Sequence, residues 1–236
     1  MTQSPTPTPT PPVTLFIRSY PKDFPWLEYA VQSIDKYMTG IQSRILVVPS
    51  QTHVPPTIRE HFDKVIGSYL YLNIDGYIAQ QFDKLDAHKY VDTEYILFTD
   101  SDCIYTAPFN PSILFHNNLP TLCMTPYTQL EGDGGYAWKA ITEKLLRYPV
   151  DYEFMRRFPI IHRTETLIRL SKDYPNLPPQ INGRELSEFN LIGAYAYKNN
   201  HPYHFTEDCS PIPCRQFWSW GGITDEIRKE IEGHLV

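Results

Sequence analysis

A chain of 236 residues is long enough to bury one substantial α/β core and too short for two ordinary domains with a linker. With 42% hydrophobic and 20% charged residues it falls in the globular range, which excludes a disordered or fibrous chain outside the first residues. A formal net charge of -6, with Lys and Arg scattered along the chain, excludes the basic stripe of a nucleic-acid binder.

Residues 1–12 form a Pro/Thr tract that is expected to stay extended and disordered, so a single domain is expected over 13–236. Val13 to Ile17 reads as a strand, stopped by the turn cluster Arg18-Ser19-Tyr20-Pro21. Asp23 then precedes Pro25 and an apolar series at Leu27, Ala30, Val31, Ile34 and Met38, the spacing of an amphipathic helix that Gly40 would end. Strand, helix and extended run follow at Arg44–Val48, Thr57–Phe62 and Lys64–Leu72. Between Gly76 and Tyr90, Ile78, Phe82 and Leu85 recur at helical spacing, with Gln81, Lys84 and His88 on another face. That helix leads into Glu94–Thr99, a continuous apolar run of the kind found in a buried parallel strand.

The second half alternates less clearly. It offers an apolar stretch at Thr121–Met124, a Gly-rich loop at 131–135, helical patterns at Trp138–Arg147 and Arg163–Lys172, and a last helix opened by Thr224 with Ile227, Ile231 and Leu235 on one face. Four cysteines without CxxC spacing argue against structural zinc, and free thiols are expected, with a Cys209–Cys214 bridge as the alternative in an oxidising compartment. No apolar run reaches the length of a membrane span and no signal peptide is visible, so a soluble, cytoplasmic protein is expected.

Asp100-Ser101-Asp102 follows the apolar run directly. In open α/β sheets ligands bind beyond the carboxyl ends of the strands, and two carboxylates one residue apart there suit one hard divalent cation, Mn²⁺ or Mg²⁺, holding a diphosphate. With 14 Asp in the chain, about one DxD is expected by chance. The preceding strand is what lifts this one, since a bound cation would relieve the mutual repulsion and desolvation of the pair.

The segments Gly76-Tyr77-Ile78-Ala79-Gln80-Gln81-Phe82-Asp83-Lys84-Leu85, Tyr95 to Asp102 and Ser187-Glu188-Phe189-Asn190 together resemble a sparsely characterised family of DxD glycosyltransferases, found as stand-alone bacterial proteins and as domains of large algal viruses. The resemblance spans most of residues 13–222. It implies the GT-A fold, a Rossmann-like α/β arrangement with a mixed, mostly parallel central sheet. It also implies a nucleotide-sugar donor with UDP first in line, a glycan or other hydroxyl acceptor, and, if the chain is viral, the host cytoplasm. By the same resemblance Asp102 would be the direct metal ligand and Asp100 would face the donor ribose or sugar, with Ser101 between them in the donor site. Gln81 and Lys84 would border the donor pocket, and Arg18, Ser19 and Tyr20 would lie against the base and ribose. Late in the chain His204, with His201 as the other choice, would supply a third metal ligand.

Each residue also has a plainer reading: Lys84 a solvated surface lysine, Tyr20-Pro21 a packed turn, the histidines ordinary, and Arg156, Arg157, His162 and Arg163 a wet helix face or else a phosphate site. Glu188, acidic among Phe189, Leu191 and Ile192, is the candidate base for the acceptor hydroxyl, the alternatives being a helix cap or a partner for Arg184. Trp218 and Trp220, followed by Gly221-Gly222, suit a sugar-stacking wall or closing loop, or simply core packing. Three other functions remain. An aspartyl-phosphate phosphatase would use Asp100 as nucleophile and Asp102 as acid, but that motif opens its fold whereas three α/β units precede it here. A sugar-nucleotide pyrophosphorylase would need a glycine-rich, basic loop after the first strand, and a lapsed binding module would not need intact carboxylates.

Overall fold

The structure, a computed structural model, describes residues 11–69, 75–130, 132, 134–177 and 186–236. Of the Pro/Thr tract, residues 1–10 lie outside the described residues. Pro12 already accepts a hydrogen bond from Tyr95 N (3.3 Å).

Strands β1 (Val13–Arg18), β2 (Ser43–Pro49), β3 (Lys64–Ser68) and β4 (Tyr95–Thr99) are parallel, joined by helices α1 (Phe24–Tyr37), α2 (Pro56–Arg59) and α3 (Gly76–Leu85). The β1 and β4 side chains are buried on both faces, which is why these segments read as continuous apolar runs instead of alternating. One face of the sheet, carrying Leu15, Ile17, Leu46 and Leu97, packs on α1, with Ile231 of a last helix beside it. The opposite face, carrying Phe16, Ile45, Val47 and Phe98, packs on α3 and the helices of the second half.

The sequence boundaries hold with local shifts. Helix α1 stops at Tyr37, before Gly40, because Met38 turns extended and bridges to Phe109. Gly40 itself stands at φ +76, against Asn110. The expected helix at 57–62 is a single turn, and of the extended run at 64–72 the part beyond Tyr69 lies outside the described residues.

After β4 come β5 (Cys103–Tyr105), β6 (Phe115–His116), β7 (Leu119–Cys123), β8 (Thr125–Pro126), α4 (Trp138–Leu146), β9 (Tyr152–Glu153), β10 (Ile160–Arg163), α5 (Thr164–Asp173), α6 (Glu188–Lys198), β11 (His204–Thr206), β12 (Cys214–Gln216) and α7 (Asp225–Leu235). β10 joins the main sheet antiparallel to β4, giving the order β10-β4-β1-β2-β3. The rest make small sheets: β11-β7-β6, β8-β9, and the antiparallel pair β5-β12, which returns the end of the chain to the end of β4. The architecture is thus α/β with a mixed sheet, compatible with a Rossmann-like fold. Among the described residues no helix is long and apolar enough to cross a membrane.

All four cysteines are free. Cys214 lies beside Cys103 and Cys209 beside Cys123, so the neighbours differ from the 209–214 pair considered from the sequence. His162 is a core residue and no part of a phosphate site. It stacks on Phe189 and lies against Phe98 and Tyr203, and burial pushes its pKa down to about 3. Its arginine neighbours are engaged as well, Arg156 with Glu153 and Arg163 with Glu94.

Helix α6 is buried from Glu188 to Ala196, on all sides, as a helix in the middle of a core must be. It approaches β9 closely at Gly193, where a Cβ would lie 2.3 Å from Phe154 Cγ and 2.6 Å from Phe154 Cβ. Gly193→Ala is therefore expected to lower stability by about 1–3 kcal/mol through overpacking, against a gain in helix preference of about 1 kcal/mol. Urea denaturation checks this, and a variant more stable than the native chain would contradict the close contact.

Candidate functional site

Strand β1 lies between β2 and β4, so the chain leaves β1 to one side and returns to the other. At such a reversal the loops after the two central strands part and leave a crevice. Here those loops are Arg18-Ser19-Tyr20 and Asp100-Ser101-Asp102, level with each other because Ile17 pairs with Thr99. A cleft of about 510 Å³ opens over them. Its floor holds Asp100, Ser101, Asp102 and Lys84, one wall brings Arg18, Tyr20 and Asp23, and another brings Gln81, Glu188, Tyr77 and Met155. Gln216, Trp218, Ser219 and Trp220 complete it from the far end of the chain.

Lys84 is the centre of the floor. It is 2% exposed, its Nζ lies 2.8 Å from Asp100 Oδ1 and 2.9 Å from Glu188 Oε1, and it rests over the Phe189 ring at 4.9 Å. Burial alone would lower its pKa, but the charges of Asp100 and Glu188 outweigh burial and hold it above the ordinary lysine value. The plainer reading of Lys84 as a solvated lysine is therefore corrected, because α3 is roofed by α6 where the sequence pattern left that face open. Gln81, one turn earlier, accepts a hydrogen bond from Glu188 N (2.8 Å), while Ser187 Oγ accepts from Asn190 N, so the start of α6 is fixed at two points.

Glu188 is 1% exposed, and burial raises its pKa despite Lys84. Both its oxygens are buried; Oε1 has Lys84 as its ion-pair partner, and Oε2 has no hydrogen-bond partner among the described residues. Of the two alternatives weighed for it, Ser187 supplies the helix cap, and Arg184 lies outside the described residues.

Asp102 is in a different situation from Asp100. Its carboxylate accepts the Ser219 N–H at Oδ2 (2.8 Å) and lies 3.4 Å from Gln216 Nε2 at Oδ1, and its backbone oxygen accepts from Phe217 N (3.0 Å). Burial and the charge of Asp100 raise its pKa in spite of these donors. Asp23 stands opposite. Although it occupies the N-cap position of α1, its side chain makes no cap bond and turns to Ser219 instead. Burial, then the charge of Asp102, push its pKa up to about 6.

The remaining candidates divide. Arg18 lines the cleft, but its Nε is bonded to Asp83 Oδ2 (3.1 Å), whose other oxygen accepts from Ser68 Oγ (2.5 Å). Ser19 is a buried strut, accepting from Ser101 Oγ (2.8 Å) and donating from its backbone N to Val47 O (3.0 Å). Tyr20 is 37% exposed at the cleft wall. The histidines are not brought to the pair: His204 sits on β11 stacked on His116 at 4.1 Å, and His201 shares a 3.0 Å hydrogen bond with Thr166. Both belong to the packing around β11 and α5, so His204 is corrected as a third ligand. Sequence reasoning missed Asp23, Gln216 and Ser219. Asp23 carried one usable signal, an acidic residue in the turn after the first central strand; the other two depend on the β5–β12 pairing, which the sequence does not announce.

Among the described residues no group of three or more His, Cys, Asp or Glu side chains is arranged to hold a metal ion by itself. The donors fit a hard cation that takes one or two carboxylates and completes its shell with ligand phosphates and water. Asp23 and Asp102 have no ion-pair partner among the described residues; burial and then the charge of Asp102 raise the pKa of Asp23, and burial and then the charge of Asp100 raise that of Asp102, which is the imbalance such a cation would correct. Neither a protein-family model nor a curated protein matches the chain.

Because Asp23 ionises at higher pH in the folded chain than in the unfolded one, the fold is penalised above about pH 6 and free of the penalty below about pH 4. In metal-free buffer Asp23→Asn should therefore stabilise the protein at pH 7.5, by about 1 kcal/mol or less after allowance for solvent screening, and should make no difference at pH 4. Thermal unfolding at the two pH values checks it; a loss of stability at pH 7.5 would contradict a penalty from burying the Asp23 charge beside Asp102.

Proposed function

We propose that the protein is a metal-dependent glycosyltransferase of the GT-A type, moving a sugar from a nucleoside-diphosphate donor, a UDP-sugar first among them, to a hydroxyl of a glycan or other acceptor. The single observation that carries this reading is the arrangement at the sheet reversal: a carboxylate pair at the end of β4, with Asp100 neutralised by Lys84 and Asp102 without an ion-pair partner among the described residues, beside a buried glutamate that shares the same lysine. The resemblance of the segments around Gln81, Asp100 and Glu188 to DxD glycosyltransferases points the same way.

In this reading Asp102, with Asp100 or Asp23 beside it, would hold Mg²⁺ or Mn²⁺, which when bound would supply positive charge against a departing diphosphate. Lys84 stays buried and keeps Asp100 fixed instead of reaching the phosphates itself. Arg18, anchored by Asp83, and Tyr20 line the cleft beside the pair and would be the groups set against the diphosphate and a ring of the donor. Glu188 takes the proton of the acceptor hydroxyl at Oε2, the oxygen without a hydrogen-bond partner among the described residues, while Lys84 holds Oε1. A carboxylate with a raised pKa is closer to the operating pH and so a better base than an exposed one.

Calorimetry with UDP-sugars should show binding strengthened about tenfold or more by Mg²⁺ or Mn²⁺, and Asp102→Ala should remove the strengthening. Glu188→Gln should keep donor affinity and lower the transfer rate by about 10²-fold or more. Metal-independent donor binding, or a Glu188→Gln variant at full rate, would contradict the respective assignment.

A further inference from the structure

Away from the cleft, β7 and β11 run parallel with Thr206 opposite Cys123, and Met124 N donates to Thr206 O (2.9 Å). Past β11 the chain turns on itself, Asp208 N donating to Thr206 Oγ1 (3.0 Å) and Ser210 Oγ to Asp208 Oδ1 (3.1 Å). That turn carries Cys209 back to the end of β7, within hydrogen-bond reach of the Cys123 thiol. The other two cysteines meet in the same way. Cys103 and Cys214 lie diagonally on the paired strands β5 and β12, where Gln216 stands opposite Cys103 and Tyr105 opposite Cys214. The four thiols therefore form two pairs, and neither is the 209–214 pair that short spacing suggests.

The two pairs have unlike surroundings. Cys103 is fully buried, and the charges of Asp102 and Asp100 oppose a thiolate there. Cys123 is buried as well, but Cys209 is only half-buried, and a cation stands beside this pair. Arg156 is engaged with Glu153 and Arg163 with Glu94, whereas Arg157 has no ion-pair partner among the described residues and lies beside the Cys123 thiol as a hydrogen-bond donor. Burial and then Cys209 push that thiol up to about 12, and Arg157 pulls the other way. Cys123 is thus shielded from direct oxidation, while the partly exposed sulfur next to it has a second thiol and an arginine at hand, the setting in which an oxidised cysteine is resolved to a disulfide.

We propose that Cys123 and Cys209 form a reversible disulfide in the presence of a peroxide. The Cys209 thiolate takes an oxygen from the peroxide as the O–O bond breaks, giving a sulfenic acid and a hydroxide that leaves as water. The Cys123 sulfur, its thiolate favoured by Arg157, then attacks the Cys209 sulfur; the S–S bond forms, the S–O bond breaks and a second water leaves. Two thiols and one hydrogen peroxide give one disulfide and two waters, and a dithiol reverses the step by exchange. The bond joins the end of β7 to the turn that leads from β11 into β12, the strand that brings Gln216 and Ser219 to Asp102. Nothing in this step depends on the cation site or on sugar transfer.

Hydrogen peroxide added to the full chain tests it. Proteolysis without reduction and mass spectrometry should find Cys123 linked to Cys209 with Cys103 and Cys214 still free, and Tm should rise by about 5 °C or more and fall back after dithiothreitol. Cys209→Ser should abolish the link and the shift, and Cys214→Ser should leave both. Arg157→Gln should slow the link about tenfold, the effect of about one pKa unit on the Cys123 thiol, and let dimedone trap the sulfenic acid on Cys209. A Cys209–Cys214 or Cys103–Cys214 bond in place of the expected one, thiols that all stay free, or Cys209 carried on to a sulfinic acid would overturn the proposal. A link that forms as fast in Arg157→Gln as in the native chain would overturn the part given to Arg157.

Discussion

The Lys84 ammonium, wedged between Asp100 and Glu188 at 2.8 and 2.9 Å and roofed by the Phe189 ring, ties the carboxylate pair after β4 to the start of α6. A lysine with almost no contact with water is tolerated only if its charge is met, and each of its carboxylates is tolerated for the same reason; stripping one partner from a buried pair costs about 3–5 kcal/mol. Three elements are therefore fixed to one another, since Lys84 comes from α3, Asp100 from the end of β4 and Glu188 from the first turn of α6. Gln81 strengthens the same junction through the Glu188 backbone. The interaction does not need to add much net stability to matter. It fixes where α6 begins, and so where the candidate base stands relative to the carboxylate pair.

Lys84 serves Asp100 and Glu188, and among the described residues neither Asp102 nor Asp23 has an ion-pair partner, Arg18 acting on Asp23 only as a weaker, more distant charge. The two face each other across Ser219, each with a raised pKa, and only neutral donors are spent on them. Proteins seldom leave such an imbalance at the mouth of a crevice without use, since perturbed carboxylates concentrate where ligands bind. A divalent cation brought with a diphosphate would satisfy it without the three-ligand cage that is missing among the described residues.

The first half of the fold was legible because each of its signals is local. Val13–Ile17 and Tyr95–Thr99 are apolar on both faces, Leu27 to Ile34 keeps a 3.6-residue period, and the reversal between β1 and β4 then locates Asp100 and Asp102 by topology alone. What was not legible came from long-range packing. Gln81 and Lys84 look like the wet side of an amphipathic helix until α6 covers them. His162, among three arginines, looks exposed until β10 carries it into the core beside Phe98. Asp23 stands in the sequence only as the residue ahead of Pro25 and the first helix, and the antiparallel pairing of β12 with β5 is what brings Ser219 to it and to Asp102. His204 failed for the converse reason: its residue type suits a metal, but its strand leads elsewhere.

The most direct test of the account is the position of a cation. Crystals grown with Mn²⁺ and UDP would report it through anomalous scattering. The account predicts one strong peak within bonding distance of an Asp102 carboxylate oxygen and the diphosphate, with Lys84 still between Asp100 and Glu188. A bound UDP with no peak at Asp102, or with Lys84 drawn out to the phosphates, would contradict it.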